Sequence, residues 1–349
     1  MPIIRKGRTA VITLPKWNDH IQKTQRIKPY YLTPVIPRAT AQSWGADKGL
    51  KRKPQYVFDA DPTYKTTKLL PLISRNAIGF DQNGDTIFLY LKKFNRKQAI
   101  SRHLRRKALQ GLLQMQFTPC ASSGRPELRG AQAFNDRKAG TFAGEYNTGW
   151  MHLGGEFRIG LDPNRVKDPE KIKRAQHNDK LAKTFIVPML RRISDIFARA
   201  LPKAFGTQNC KIKSQHRYGE TTPFSTLTFL KSAPSAVHLD AKNGAGSLAC
   251  MTTVGTSTPY VGGSFCLVEY GVEIKVQPGD LLIAATPFHW HANLSPVEGE
   301  KYSIVCYFKD VLQRKRKVIC AECGGEFLDR PDRKKPRCPS CLANKVGRT

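Results

Sequence analysis

The sequence predicts an α+β protein in which a barrel or sandwich of short strands is flanked by helices and followed by a small metal-bound tail. Three observations support this. From Phe224 onward, short runs of β-branched and aromatic residues alternate with Gly, Pro and Asp, which is typical of an all-β barrel or sandwich. Upstream, apolar residues recur with helical spacing. After residue 313 two Cys-x-x-Cys pairs appear.

The part of the chain before the barrel mixes both kinds of element. Asp85–Leu91 (DTIFLYL) follows a turn sequence and predicts a strand. Ser101–Leu113 predicts a basic amphipathic helix, which could be an ordinary surface helix or one that follows phosphates. A second helix is expected over Asn178–Leu201, with Pro188 kinking or breaking it. Its apolar stripe indicates packing against a sheet.

The barrel is predicted from six apolar runs of five to eight residues that lie within 224–310. Each run is bounded by Gly, Pro or Asp, as the strands of a barrel or sandwich usually are. In chain order the runs read STLTFL, SLACMTTV, SFCLVEY, VEIKV, DLLIAA and YSIVCYF.

The formal net charge of +31 is distributed unevenly along the chain. Residues 1–60 carry twelve Lys and Arg against three acids, 91–110 carry eight against none, and 313–349 carry eleven against four, whereas 217–310 carry six against eight. Excess charge outside the barrel predicts a polyanionic partner, because neutralised phosphates release counterions; we expect nucleic acid, and DNA in particular. A solvated basic surface, an acidic protein or a membrane surface are the alternatives.

We therefore divide the chain into a basic N-terminal arm (1–60), a central domain (61–312, with barrel strands mainly over 217–310) and a tail (313–349). No apolar run reaches 18 residues and the N-terminus lacks an apolar signal-peptide segment, so no membrane contact is expected. Nine cysteines without a spaced framework favour a reducing compartment. We expect an intracellular protein, nuclear if the source is a eukaryote.

The tail predicts a structural zinc ribbon. Its two knuckles are separated by fourteen residues, and four thiolates from two such knuckles complete a tetrahedron around one ion. Disulfides or a redox pair do not explain two knuckles. A segment this short has no core of its own, so metal binding would supply its folding energy. The proposed ligands are Cys320, Cys323, Cys338 and Cys341.

A second metal constellation lies in the barrel. His238 and Asp240 are two residues apart, so on a strand their side chains point to one face. A third ligand from a later strand would complete two His and one carboxylate, the set that binds non-haem Fe(II) and leaves positions open. His289 and His291 are the candidates for the third ligand, whereas an ordinary surface pair is the alternative for His238 and Asp240.

Lys301 and Ser303 open the last predicted strand. Two residues apart, they share a strand face, and a cation beside a hydroxyl can bind a carboxylate end-on. The distal carboxylate of 2-oxoglutarate requires such a pair.

Residues 224–308 resemble the 2-oxoglutarate/Fe(II) dioxygenase superfamily, whose fold is the double-stranded β-helix, a jelly-roll or cupin-like barrel. The segments HLD, PGDLLIAA and WHANLSPVEGEKYSIVCYF follow in the expected order. The HxDxxN pattern that ends at Asn243 is similar to the TET/JBP group and its fungal, transposon-associated branch. The resemblance implies iron at His238, Asp240 and His291, cosubstrate at Lys301 and Ser303, and target-base contact at Asn243, which otherwise caps a turn.

The resemblance implies an Fe(II)- and 2-oxoglutarate-dependent dioxygenase that oxidises the 5-methyl group of 5-methylcytosine, or of another methylated base, in DNA. The base would have to flip out of the duplex, and Phe288, Trp290 or Tyr146 could stack on it. The TET/JBP group usually places Arg where this chain has Lys301, which keeps open a prolyl-type protein hydroxylase. A nucleic-acid-binding protein on a degenerate oxygenase barrel is the non-enzymatic alternative.

Overall fold

The structure is a computed structural model. It describes residues 26–34, 72–119, 144–153, 156–159, 169–232, 235–240, 243–244, 246–255, 260–294, 296–309, 316–319, 322–323 and 325–329.

The strands of the described chain are numbered in chain order. They are β1 (Lys28–Tyr31), β2 (Ala77–Phe80), β3 (Thr86–Leu91), β4 (Lys93–Phe94), β5 (Lys97–Gln98), β6 (Thr118–Pro119), β7 (Gly144–Leu153), β8 (Glu156–Ile159), β9 (Thr226–Lys231), β10 (Ser235–His238), β11 (Ala249–Gly255), β12 (Val261–Gly262), β13 (Phe265–Leu267), β14 (Val272–Ile274), β15 (Leu281–Ala284), β16 (His291–Asn293), β17 (Pro296–Glu298), β18 (Lys301–Tyr307), β19 (Arg316–Ile319) and β20 (Glu326–Asp329).

The helices of the described chain lie mostly before the barrel strands. They are α1 (Arg102–Gln114), α2 (Pro169–Leu181), a π-helical turn (Ala182–Ile186), α3 (Val187–Ala200), α4 (Pro202–Lys211) and short 3₁₀ turns at Ser214–His216 and Val268–Tyr270. None of these helices is long and apolar enough to cross a membrane.

Two sheets build the barrel. The larger one has the strand order β1-β2-β3-β15-β11-β18-β9-β7-β6, with β8 attached to β7, and the smaller one has the order β10-β16-β13-β14. The β1–β2 pair is parallel and the β3–β15, β11–β15, β11–β18 and β9–β18 pairs are antiparallel. The large sheet thus joins strands that are distant in the chain, as expected of the double-stranded β-helix. The two-stranded pairs β4–β5, β12–β17 and β19–β20 stand outside these sheets.

The central strands of the large sheet, β3, β15, β11 and β18, are buried on both faces. On β3, Leu89 and Leu91 belong to the cluster that packs against the helices, whereas Phe88 and Tyr90 belong to the cluster between the sheets. Side chains of a strand alternate between faces, so a strand covered on both sides reads as a continuous apolar run. The same alternation on β18 sends Tyr302 towards the helices and therefore Lys301 into the barrel.

The helical layer shows how Pro188 is accommodated. The Ser101 side chain accepts a hydrogen bond from the Leu104 N–H and caps α1. In the second helical segment the break comes as the π-helical turn 182–186, and Pro188 sits in the first turn of α3. Proline is tolerated there because the first N–H groups of a helix have no partner within it. The helical segment also begins at Pro169, nine residues before the predicted start.

The predicted strands of the barrel are present, and the expected strand at 85–91 is β3. One run is divided: SFCLVEY forms β13 and then a 3₁₀ turn that ends at Gly271, which has a φ of 60°. The structure also shows that the predicted N-terminal arm contributes β1, which pairs with β2 at the edge of the large sheet. The division of the chain into domains stays a prediction.

Candidate active site

The small sheet brings the predicted iron ligands together. β10 pairs antiparallel with β16, and His238 lies directly opposite His291 in that register. Asp240 follows just after β10, where its backbone N–H donates to the Thr286 carbonyl oxygen at 3.2 Å. Two neighbouring strand ends therefore carry all three side chains, although they are separated by about fifty residues in sequence.

The three side chains are close enough to hold one metal ion. One donor atom from each of His238, Asp240 and His291 lies within 4.8 Å of the others. The Nε2 atoms of His238 and His291 lie 3.7 and 3.8 Å from the two carboxylate oxygens of Asp240. Two imidazoles and one carboxylate on one side of an ion match the donor set of non-haem Fe(II), so the residues present fit this metal.

Burial differs across the cluster in a way that leaves one side open. The His291 side chain is 4% exposed, whereas those of His238 and Asp240 are 19% and 31% exposed. Burial raises the pKa of Asp240, but the imidazoles of His291 and His238 lower it by more, so that its pKa lies below the usual value. The carboxylate is therefore ionised at neutral pH, as a metal ligand must be.

His289 is not a member of the cluster in the described chain. Its backbone carbonyl oxygen lies 3.0 Å from Nδ1 of His291, and its own Nδ1 lies 3.1 Å from the Tyr270 hydroxyl and 3.5 Å from a carboxylate oxygen of Glu269. Because a carbonyl only accepts, His291 must carry its proton on Nδ1, which leaves Nε2 free for a metal. His289, the alternative candidate ligand, thus orients His291 through its backbone carbonyl.

The sequence reasoning missed these supporting residues. Glu269 and Tyr270 are almost fully buried, and Glu269 also accepts a bond from the Trp290 N–H at 3.4 Å. Phe265 stacks on His291 with ring centroids 5.4 Å apart. A buried acid in the run SFCLVEY was the one signal in the sequence that could have indicated them, because charged residues are seldom fully buried without a partner.

Lys301 and Ser303 share the barrel-facing side of β18, as expected. Both are 4% exposed, and the Lys301 ammonium donates to the Gly263 carbonyl and lies 5.9 Å from the centre of the Tyr260 ring. Burial lowers the pKa of Lys301 to about 8. Within the described chain this buried cation has no carboxylate partner at ion-pair distance.

Asn243 lies at the turn that follows the metal-binding strand. Its backbone N–H donates to the Asp240 carbonyl oxygen at 2.9 Å, and its side chain is partly exposed. This backbone bond closes the turn, whereas the capping role and the base contact of the Asn243 side chain both stay predictions. The stacking role suggested for Phe288 and Trp290 is wrong, because both are at least nine-tenths buried in apolar clusters. The Tyr146 side chain lies outside the described part of the structure.

The tail is described only in part. β19 and β20 form an antiparallel hairpin, and Cys323 lies exposed in the turn between them. The predicted zinc ligands Cys320, Cys338 and Cys341 lie outside the described residues.

Comparison with known proteins agrees with this geometry. Residues 160–310 match the family model Tet_JBP, the oxygenase domain of the 2-oxoglutarate/Fe(II) dioxygenase superfamily. The chain is 29% identical over 136 residues to thymine dioxygenase JBP1-A of Trypanosoma cruzi, and 32% identical over 135 residues to thymine dioxygenase JBP1 of Trypanosoma brucei brucei. Each alignment covers 36% of this chain but only 16% and 15% of the relative.

Among solved structures, NgTET1 in complex with 5mC DNA aligns with a TM-score of 0.46 and 12% identity, covering 82% of this chain and 95% of that one. The matched family segment contains all three residues of the metal cluster, together with Lys301 and Ser303. Residues 160–310 are therefore a TET/JBP-like oxygenase domain of the 2-oxoglutarate/Fe(II) dioxygenase superfamily.

Proposed function

We propose that this protein uses Fe(II) and 2-oxoglutarate to oxidise the 5-methyl group of a pyrimidine in DNA, with 5-methylcytosine as the preferred target. The observation that carries the proposal is the cluster of His238, Asp240 and His291 within a segment that matches the TET/JBP oxygenase domain. When bound there, Fe(II) with O₂ and 2-oxoglutarate supplies the oxidising power needed to break an unactivated C–H bond.

The side chains around the metal have distinct tasks in this proposal. Asp240, ionised, and the Nε2 atoms of both histidines would hold the ion, and the remaining coordination positions would be available to cosubstrate and oxygen. The His289 carbonyl keeps the His291 ring in the tautomer that can ligate. Phe265, stacked on the same ring, restricts its rotation and shields it from water.

Lys301 and Ser303 would hold the distal carboxylate of 2-oxoglutarate. A buried cation is costly unless an anion accompanies it, and the described chain supplies only a carbonyl. A dicarboxylate that entered the barrel would provide the missing charge and accept a second bond from the Ser303 hydroxyl. The Tyr260 ring beside the ammonium adds a smaller favourable contact with the cation.

The similar proteins and the net positive charge of the chain both support DNA as the polymer that contains the target base. The similar proteins of T. cruzi and T. brucei are named thymine dioxygenases, and the solved relative is in complex with 5mC DNA. The strongly basic chain suits a phosphate backbone. Thymine is the second candidate base, since it carries the same 5-methyl group.

A product assay tests the proposal and distinguishes the two bases. Purified protein with Fe(II) and 2-oxoglutarate would be incubated with duplexes that are identical except for 5-methylcytosine or thymine at one position, and the nucleosides would be analysed by mass spectrometry. We expect an added oxygen on the 5-methyl group of 5-methylcytosine, dependent on both cofactors and lost in Asp240→Ala. Oxidation of thymine alone would overturn the base preference. An absence of oxidised pyrimidine, together with hydroxylation of peptide substrates, would overturn the function.

We also propose a structural zinc ion bound by Cys320, Cys323, Cys338 and Cys341. The strand–turn–strand arrangement of β19 and β20 around the first Cys-x-x-Cys pair supports it, because zinc ribbons present such pairs at hairpin turns. The ribbon would anchor the basic tail and take no part in the oxidation.

A further inference from the structure

A basic surface forms where the chain leaves β3. It comprises the β4–β5 hairpin and the first turns of α1, and we call it the basic corner. Its exposed cations are Lys92, Lys93, Arg96, Lys97, Arg102 and Arg106. No carboxylate of the described chain lies within ion-pair distance of any of them, and residues 91–110 contain no acid.

The backbone of the basic corner is held firmly. The Asn76 side chain accepts from the N–H groups of Lys92 and Lys93 at 2.8 and 3.0 Å, and donates to the Lys93 carbonyl oxygen at 2.8 Å. Phe94, 3% exposed, anchors the hairpin in the core. Asn95 and Arg96 both have positive φ, 52° and 60°, the conformation of a tight two-residue hairpin turn.

The hairpin is also joined to α1 and to the barrel. Arg105 donates to the Gln98 side chain at 2.7 Å, and the Ile100 N–H donates to the Gly279 carbonyl at 2.9 Å. Gly279 has a φ of 93° and lies so near Arg105 that an added Cβ would come within 2.9 Å of its Nε. The cations therefore stand on a preorganised platform, which reduces the entropy lost when they bind a partner.

The basic corner and the metal cluster lie at opposite ends of β3. At one end, the Ile87 carbonyl oxygen accepts a hydrogen bond from the Ala285 N–H. The next residue, Thr286, accepts a hydrogen bond from the Asp240 N–H through its carbonyl oxygen. The other end, Leu91, pairs with Leu281 and leads into the hairpin. Four residues of strand separate the two ends by roughly 14 Å, and the hairpin extends beyond that.

We propose that the basic corner is a second docking surface for duplex DNA, which binds a segment other than the one whose base enters the barrel. The identity of the polyanion as DNA rests on the proposed function, whereas the surface itself rests on charge, exposure and rigidity. A duplex rises about 3.4 Å per base pair, so a straight duplex that touched both places would have to run several base pairs along the protein. The surface would retain the enzyme on DNA between reactions.

Binding measurements on the full chain test this surface. The triple variant Lys93→Gln/Arg96→Gln/Lys97→Gln removes three exposed cations of the hairpin, and the matched control Lys180→Gln/Lys203→Gln/Lys213→Gln removes three exposed cations elsewhere. For a 60-base-pair duplex we expect the hairpin variant to raise the Kd about ten-fold and to reduce the slope of log K against log salt by about 2 to 3. The control should change the slope by less than about 1.

Arg102→Gln/Arg106→Gln, on the helix side of the basic corner, provides a second test should the hairpin variant fold poorly. It should shift the Kd in the same direction. On a short duplex at saturating concentration, both variants should keep wild-type turnover, while the KM for the long duplex rises. Equal effects of the hairpin, helix and control variants would overturn the proposal, as would a loss of affinity for duplex RNA but not for duplex DNA.

The two proposals fail in different ways. If the hairpin variant loses DNA affinity but the wild type oxidises no pyrimidine, the proposed function is contradicted. The proposed docking surface would still be supported. If the wild type oxidises pyrimidine but the hairpin and helix variants have unchanged DNA affinity and KM, only the docking-surface proposal is contradicted. Asp240→Ala should bind the long duplex as tightly as the wild type.

Discussion

Nδ1 of His291 lies 3.0 Å from the carbonyl oxygen of His289, so the backbone of one histidine fixes the tautomer of the other. The His289 side chain turns away and contacts the Tyr270 hydroxyl and the Glu269 carboxylate. His289 and His291, which lie two residues apart in the sequence, thus have different roles. His291 is a metal ligand, and His289 orients it.

His289→Ala should bind iron while the protein loses stability. The substitution keeps the carbonyl that holds His291, but removes a buried ring and its hydrogen bond, at a cost of about 1–3 kcal/mol of unfolding free energy. Iron content after anaerobic reconstitution and thermal unfolding would be measured together. His238→Ala, Asp240→Ala and His291→Ala are the comparison, and each should lose iron and turnover. Iron loss in His289→Ala with retention in His291→Ala would reverse the ligand assignment.

Lys301→Ala should raise the KM for 2-oxoglutarate about ten- to a hundred-fold, because a charge-assisted hydrogen bond contributes roughly 1.5–3 kcal/mol. Iron binding and DNA affinity should be unchanged, since the lysine is not among the metal cluster. Lys301→Arg should retain more activity than Lys301→Ala, within the limits of the close contact with Gly263. Unchanged 2-oxoglutarate kinetics in Lys301→Ala would refute the assigned role.

Lys301→Met should stabilise the protein when 2-oxoglutarate is absent. Burial lowers the pKa of Lys301 to about 8, whereas the unfolded chain keeps a value near 10.5. The buried charge therefore costs stability below pH 8, and that cost disappears as the pH rises from 8 towards 10.5, where the unfolded chain holds more protons. The variant should gain about 1–3 kcal/mol at pH 7, and its advantage should narrow by pH 10. A constant difference at both pH values would contradict this.

Cys323→Ser should remove one zinc ion per chain and weaken DNA binding without unfolding the barrel. Three thiolates hold zinc less tightly than four, and a short ribbon depends on the metal for its fold. Cys210→Ser, at an exposed cysteine outside the tail, is the matched control and should keep its zinc. Elemental analysis of freshly purified proteins provides the readout; wild-type protein without zinc would rule out the ribbon.

The sequence predicts the barrel strands because apolar runs mark them, as at β3, β11 and β18. The short spacing of His238 and Asp240 indicates two metal ligands, although Asp240 lies just past the end of β10. His291 comes from a strand about fifty residues further along the chain, and only the order of the motifs indicates it. The support by Glu269 and Tyr270 depends on contacts between distant segments, which spacing does not encode. The predicted base-stacking role of Phe288 and Trp290 is wrong for the same reason. An aromatic residue next to a metal ligand can point either into the core or into a cleft, and spacing does not say which.

The helical layer illustrates the same limit and provides the last prediction. Gly111 on α1 faces the π-helical turn so closely that an added Cβ would lie 2.6 Å from Cβ of Phe185. No pattern in the sequence indicates this contact, because it joins helices that are separated by more than seventy residues. Gly206 on α4 has open space where its Cβ would be and is an ideal control.

Gly111→Ala should therefore destabilise the protein by about 1–3 kcal/mol, since the backbones must separate to admit the methyl group. Gly206→Ala should stabilise it by about 0.4–1 kcal/mol, because alanine restricts the unfolded chain and favours a helix. Chemical unfolding would measure the free energy of unfolding of both variants, and its change relative to the wild type should have opposite signs in the two. If Gly111→Ala were as stable as the wild type, α1 and the π-helical turn would not pack as closely as described, and the helical layer behind the barrel would need another arrangement.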